Sequence, residues 1–272
     1  MKTSNSQKKT GGIKKPFTQG TPVDTETWKK ALFFFGTLLM VYFVSLIVCS
    51  MTGFSQAFLR IGVNLVIIVG ILLIFYNNGA NYGENAVARG EIVWQRKEKQ
   101  ENVSDSEVRL SYHPLKGLIM AAAGTLPFFI LALVLALTTS LQTSSQGTIP
   151  GWLQSYLGRD EIGGALTAYT NPRGLTAVEL IRVIVRIMIL PYINLAGTAA
   201  NKMMTLWMER LSPVIVLLPA IAYGIGFIQG PGLRSRVHTE IAENTKKRIR
   251  REKRERRLRR QSSGRSGPQQ LN

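Results

Sequence analysis

Residues 246–260 read KKRIRREKRERRLRR, and this stretch decides how the rest of the chain is threaded. It holds eleven Lys or Arg and two Glu, a net charge of +9 out of the chain's +18. A segment with this much positive charge is very hard to move across a bilayer. We therefore expect it to stay on the cytoplasmic side and to fix the direction of every apolar segment before it.

Four long apolar runs precede this basic stretch, at residues 31–49, 58–76, 117–137 and 211–229. The first of them reads ALFFFGTLLMVYFVSLIVC and carries no charged side chain. As an α-helix, a run of this length extends for roughly 30 Å, which is the thickness of the hydrocarbon core of a bilayer. We therefore predict an all-α polytopic integral membrane protein with four transmembrane helices, whose membrane domain covers residues 31–232.

Three polar segments flank the apolar runs, and all three are basic. Residues 1–30 hold seven Lys against two acidic residues, so we expect a disordered basic arm. Residues 77–116 are predicted to be a loop whose middle part, 84–99, forms an amphipathic helix on the membrane surface. Residues 233–272 form the basic tail. Its sequence permits a helix over 240–260, but its apolar residues are too few for a packed face. We therefore predict that both termini are disordered. Because basic segments stay in the cytoplasm, all three are predicted to be cytoplasmic, which requires an even number of crossings.

The segment from residue 175 to 190, LTAVELIRVIVRIMIL, is ambiguous. Glu179, Arg182 and Arg186 are spaced i, i+3 and i+7 and share one helical face, and Glu179 can pair with Arg182. In a full crossing, each unpaired Arg would cost roughly 2.5–3.5 kcal/mol at mid-bilayer. A fifth crossing would also separate the basic arm from the tail. We favour an interfacial or half-inserted amphipathic helix with this polar stripe towards water, followed by a second interfacial piece at residues 192–210.

The last apolar run carries a stripe of small residues. Ala222, Gly226 and Gly230 lie at i, i+4 and i+8, which lets another helix approach closely. Packing within the chain is the favoured interpretation, and homo-oligomer formation is the alternative. The chain has one cysteine, Cys49, and two isolated histidines, and none of the common catalytic or metal-binding motifs. We therefore predict no enzyme activity, no cofactor and no metal site.

These features suggest a non-enzymatic scaffold or accessory subunit of a bacterial plasma membrane, with both termini in the cytoplasm. Its basic termini would bind anionic lipid headgroups or an acidic partner protein. Two alternatives stay open: a small transporter or channel component that uses the stripe of Glu179, Arg182 and Arg186, and a tether for nucleic acid or ribosomes that contacts phosphates only. The candidate residues for an anionic surface are Lys246, Lys247, Arg248, Arg250, Arg251, Lys253, Arg254, Arg256, Arg257, Arg259 and Arg260.

Overall fold

The computed structural model describes residues 13–51, 56–139, 151–156, 158–159, 161–163, 166, 177–196 and 202–263. The α-helices with defined bounds are α1 (Thr25–Met51), α2 (Ala57–Glu98), α3 (Asp105–Arg109), α4 (Lys116–Thr138), α5 (Ala177–Met188), α6 (Leu190–Ala196), α7 (Lys202–Ile228) and α8 (Gly230–Ser263). A 3-10 helix covers Gly151–Tyr156. Within these ranges no residue lies in a β-strand, so the all-α fold is confirmed for the described part of the chain.

Four helices are long and apolar enough to cross a membrane. They are Thr25–Ser50, Ala57–Glu98, Lys116–Thr138 and Met203–Ile228, and they coincide with the four predicted spans. Hydropathy identifies them from sequence because each needs some twenty consecutive residues that are mostly apolar. This set of helices is compatible with an integral membrane protein.

Helix α2 corrects the prediction for residues 77–116. The loop was expected to begin at Asn77, but α2 continues to Glu98 and has 42 residues, which gives a length of about 63 Å. The predicted surface helix at 84–99 is therefore the second half of α2. The apolar composition ends near Asn77, but the helix does not. The helix continues because Ala, Glu and Arg are good helix formers and because Val87 and Val93 are buried.

Helix α7 corrects the interfacial piece predicted at residues 192–210. Only 192–196 lie in the short helix α6, whereas α7 begins at Lys202 and runs without interruption to Ile228. The charge of Glu209 was expected to hold this segment at a surface. In the structure Glu209 is buried and its charge is compensated by arginines of α5, so the helix does not have to end there.

The structure describes part of each terminus, and the expected disorder of the termini stays a prediction. Residues 13–24, which we call the N-terminal strap, lie outside helices and strands: the amide of Thr18 donates to Gly90 O at 3.1 Å and that of Gly20 to Tyr112 O at 3.0 Å. At the other end α8 is helical as far as Ser263. Residues 1–12 and 264–272 lie outside the described ranges.

The chain divides into two compact units. The apolar unit consists of Thr25–Asn77 and Leu118–Gly224 and contains most of the apolar helices. The described part of the other, which we call the basic unit, is residues 13–24, 78–117 and 225–263. All three segments that were predicted to be cytoplasmic because of their charge contribute to this one unit.

Aromatic side chains fill the centre of the apolar unit. The ring of Phe34 on α1 lies 5.1 Å from those of both Phe75 on α2 and Tyr223 on α7, measured between ring centroids. A Cβ atom on Gly124 of α4 would lie only 2.5 Å from Ala31 O, so α1 approaches α4 closely at this glycine. Cys49 is buried in this unit, as expected for a small apolar residue, and its thiol contacts Asn64 at 3.6 Å.

In the basic unit the ring of Phe227 lies between two tyrosines. The ring of Tyr112 stacks on it at 5.3 Å and that of Tyr82 lies at 5.8 Å. The Tyr112 hydroxyl donates to Ile228 O at 3.3 Å, and burial raises the pKa of this phenol, which keeps the donor protonated. Lys116, at the start of α4, forms a buried ion pair of 2.5 Å with Asp24 of the strap.

Candidate functional sites

Four polar side chains of the apolar unit, Thr139, Arg182, Arg186 and Glu209, form what we call the apolar network. Glu209 Oε1 accepts from Arg186 Nε at 2.8 Å and lies 2.6 Å from its Nη2. Arg182 Nε lies 3.3 Å from the same oxygen. The hydroxyl of Thr139 donates to Glu209 Oε2 and accepts from Arg182 Nη2 at 3.4 Å. One carboxylate of α7 is thus shared by two guanidinium groups of α5.

The orientation of α5 differs from the expected one. The polar stripe was predicted to face water, but Arg182 is 7% exposed, and Val185 on the same side of the helix is fully buried. The apolar residues Leu180 and Val183 point outward instead. Glu209 of α7 supplies a charge partner for both arginines in this orientation. A helix with its apolar side outward and its charge inward is typical of an apolar environment.

The apolar network is not completely hydrogen-bonded. The Nε–H of Arg182 is buried and finds no hydrogen-bond partner among the described residues, although it lies within ion-pair distance of Glu209. Arg186 keeps 37% of its side chain exposed and opens the network to its surroundings. Of the predicted stripe, the structure therefore brings Arg182 and Arg186 together on Glu209, and Glu179 is half-buried at the first turn of α5.

A second cluster, Glu84, Glu91, Arg234 and His238, forms the basic-unit network between α2 and α8. Arg234 Nε donates to Glu91 Oε2 at 3.0 Å, and its Nη1 reaches Glu84 Oε1 at 3.4 Å. His238 Nε2 lies 2.7 Å from Glu91 Oε1. Both His238 and Glu91 are buried. One guanidinium group is here shared by two carboxylates.

Sequence reasoning missed the basic-unit network. His238 was treated as an isolated histidine, since its partner Glu91 lies 147 residues earlier in the chain. A signal did exist, because Glu84 and Glu91 are seven residues apart and Arg234 and His238 four apart, so each pair shares a helical face. Nothing in the sequence indicates that these two helical faces pack against each other.

Close packing of glycines holds α2 against the start of α8. A Cβ atom built on Gly83 would lie 2.4 Å from Phe227 O, and one on Gly230 would lie 2.4 Å from the carbonyl carbon of Gly83. The Gly230 position of the predicted small-residue stripe is therefore used within the chain. Gly226 is buried and Ala222 half-buried. Homo-oligomer formation through this stripe stays a prediction.

The predicted anionic-surface residues lie on α8, beyond its packed first turns. Every side chain from residue 246 to 258 is exposed. At 100° per residue, cations occupy an arc of about 220° that contains no acid. The opposite side holds Arg248 with Glu252 and Glu255, and Arg248 Nε pairs with Glu252 Oε1 at 3.0 Å. The cations of this arc, which we call the basic face, are Lys246, Lys247, Arg250, Arg251, Lys253, Arg254, Arg256 and Arg257; the side chains of Arg259 and Arg260 lie outside the described ones.

No protein-family model, no curated protein and no solved structure matches this chain. Among the described residues, no group of three or more His, Cys, Asp or Glu side chains is placed to hold a metal ion. The class that the fold defines is that of all-helical chains with four helices apolar enough to cross a membrane.

Proposed function

We propose that this chain is a non-enzymatic multi-pass protein of a bacterial plasma membrane, a scaffold or accessory subunit whose basic face binds anionic lipid headgroups at the cytoplasmic surface. The observation that carries the proposal is the segregation of charge on α8. Eight exposed cations share one arc, and the two acids of the same segment lie on the other side. A flat anionic surface can engage one side of a helix, and each cation near it contributes about 1 kcal/mol.

The distribution of the basic segments supports this orientation. The strap, the second half of α2 and α8 belong to one compact unit, so a single side of the membrane accommodates all three. Four membrane crossings leave all three basic segments on the same side, and α5 and α6 are then only partly inserted. Reporters fused after Asn272 and at Gly151 test it directly: the C-terminal reporter should be cytoplasmic and the one at Gly151 external. A C-terminal reporter outside the cell would contradict the proposal.

Lipid binding is tested with the full-length protein in nanodiscs. In a Cys49→Ser background, Ile249→Cys places an environment-sensitive fluorophore on the basic face, since Ile249 is exposed. Headgroup-spin-labelled lipid should quench it more strongly in discs that contain phosphatidylglycerol than in discs of phosphatidylcholine alone. High salt should abolish the difference, because screening weakens exposed charge interactions.

Two matched substitutions locate the binding surface. Arg254→Gln removes one cation from the basic face and should weaken the phosphatidylglycerol-dependent quenching about fivefold. Arg248→Gln removes one cation from the opposite side, where Glu252 already pairs with it, and should change the quenching little. Equal effects of the two substitutions would contradict binding through one face. If single-stranded RNA, but not phosphatidylglycerol, alters the fluorescence in a salt-dependent way, the tether for nucleic acid replaces the lipid proposal.

A second candidate function, a small transporter or channel component, is favoured by the apolar network. Two guanidinium groups and a carboxylate inside an apolar unit are costly, and such groups commonly mark ion or substrate paths. Ion flux into proteoliposomes under a membrane potential is the measurement, with dyes for protons, potassium and chloride. Flux that persists in Arg254→Gln but disappears in an Arg182→Gln/Arg186→Gln variant that still unfolds cooperatively on heating would favour this function over the scaffold.

A further inference from the structure

The basic unit contains a cavity of about 300 Å³ beside the contact between Glu91 and His238. Three parts of the chain form its walls. The strap contributes residues 13–15 and Phe17, α2 contributes Val87 and Glu91, and α8 contributes its first turns. This volume lies at the lower end of the range for small-molecule binding sites, which are mostly apolar and carry a few well-placed polar groups.

The charged groups on these walls differ in whether they have a partner of opposite charge. Glu91 is engaged by both Arg234 and His238, at 3.0 and 2.7 Å. Lys14 and Lys15 are exposed, and neither makes an ion pair within the ranges that the structure describes. The strap side of the cavity therefore carries two uncompensated positive charges, which favour an anion there.

Apart from Ser235, the uncharged side chains of the lining are apolar. Ile13, Phe17 and Val87 face the cavity, and the ring of Phe17 is held edge-on to that of Tyr112 at 5.9 Å. Val87 is buried, so this wall belongs to the packed core of the unit. A ligand that fits both parts of the lining has an anionic end and an apolar body.

We propose that this cavity binds a small anionic amphiphile, with a phosphate or carboxylate group at Lys14 and Lys15 and an apolar body between Phe17 and Val87. Two sources share this chemistry: the headgroup region of an anionic phospholipid, and a soluble phosphorylated metabolite. The site is separate from the basic face, since none of its lining residues lies between 246 and 258. A bound ligand would connect the strap to α2 and α8 and stabilise the unit by mass action.

Calorimetric titration of the full-length protein in non-ionic detergent tests the proposal with hexyl phosphate as the probe. Hexanol and inorganic phosphate are the comparison ligands, because each has only one of the two required parts. The matched variants are Lys14→Gln/Lys15→Gln and Lys97→Gln/Lys99→Gln, since Lys97 and Lys99 are exposed cations of the same unit that do not line the cavity. Phe17→Ala tests the apolar wall, and melting temperatures verify that each variant folds.

We expect saturable binding of hexyl phosphate. Lys14→Gln/Lys15→Gln should weaken this binding at least about tenfold, and the control variant Lys97→Gln/Lys99→Gln less than about twofold. Phe17→Ala should weaken hexyl phosphate and leave the weak binding of inorganic phosphate unchanged. The proposal is overturned if hexanol binds as tightly, or if the two double variants weaken binding equally. With binding established, dihexanoyl phosphatidylglycerol and isopentenyl phosphate, a soluble phosphorylated metabolite with an apolar body, identify the lipid or the soluble source. These results do not depend on the basic face, so they separate failure of this site from failure of the proposed lipid binding.

Discussion

The apolar network and the basic-unit network are opposite in charge. In the apolar network Glu209 is shared by two guanidinium groups, whereas in the basic-unit network Arg234 is shared by two carboxylates. The shared group also differs in exposure. The side chain of Glu209 is 3% exposed, whereas that of Arg234 is 25% exposed.

This difference in burial decides what each network does for the fold. Breaking a buried ion pair leaves a charge without compensation, which costs roughly 3–5 kcal/mol, whereas a partly exposed group regains hydration by water. We therefore expect the apolar network to be necessary for a folded apolar unit. The basic-unit network, in contrast, should mainly fix the position of α8 against α2.

The largest expected effect comes from Glu209→Gln. The substitution leaves Arg182 and Arg186 without a counter-charge, and it should lower stability by roughly 3–5 kcal/mol, or the melting temperature by about 10 °C. Thermal unfolding in detergent measures it. The triple variant Arg182→Met/Arg186→Leu/Glu209→Met is the control, because removing all the charges together should restore most of the stability. If the triple variant is less stable than Glu209→Gln, the arginines have a role beyond charge compensation.

Glu91→Gln in the basic-unit network is expected to cause a smaller loss of stability than Glu209→Gln. Arg234 keeps Glu84 and water, but His238 loses a charged partner, so the expected cost is about 1.5–3 kcal/mol. Hydrogen exchange should rise over residues 230–240 and stay unchanged in the apolar unit. Glu84→Gln is the matched comparison and should have the smaller effect, since Glu84 is more exposed and its contact is longer. Equal effects would mean that burial does not set the contribution of this network.

Gly83→Ala separates α2 from the end of α7 and the start of α8 without altering a charge. The added methyl group would meet Phe227 O at 2.4 Å, so the helices must move apart at a cost of about 1–3 kcal/mol. Gly70→Ala is the control on the same helix, because no atom lies within 4 Å of its Cβ position. We expect Gly70→Ala to be neutral or slightly stabilising, as alanine is the better helix former. Melting temperatures of the two variants in the same detergent check this prediction.

The smallest effect is predicted for the exposed pair of Arg96 and Glu107, which serves as a baseline for both networks. Their side chains are 45% and 44% exposed at a distance of 3.2 Å. Glu107→Gln should change stability by less than about 1 kcal/mol, because solvent screens such pairs. If Glu107→Gln lowers stability as much as Glu91→Gln does, then burial does not determine how much these pairs contribute.

Particular residues explain why the fold was easier to predict than the sites. The apolar runs were found because hydropathy is a property of consecutive residues, and all four helices lie where the runs do. The end of α2 was misplaced, since the sequence changes polarity at Asn77 while the backbone continues as a helix to Glu98. Of the polar stripe, Arg182 and Arg186 were singled out from the sequence as a candidate site, which stays a prediction, and their partner was sought in water and in Glu179.

The sequence by itself determined the helical class, the four apolar helices and the concentration of positive charge near the C-terminus, because each depends on residues close together in the chain. The tertiary structure decided which charges compensate one another. Glu209 meets Arg186 from 23 residues away, and Glu91 meets Arg234 from 143 residues away. Such pairs form because burial makes an unpaired charge costly, and only the packing of helices determines which opposite charge lies within reach.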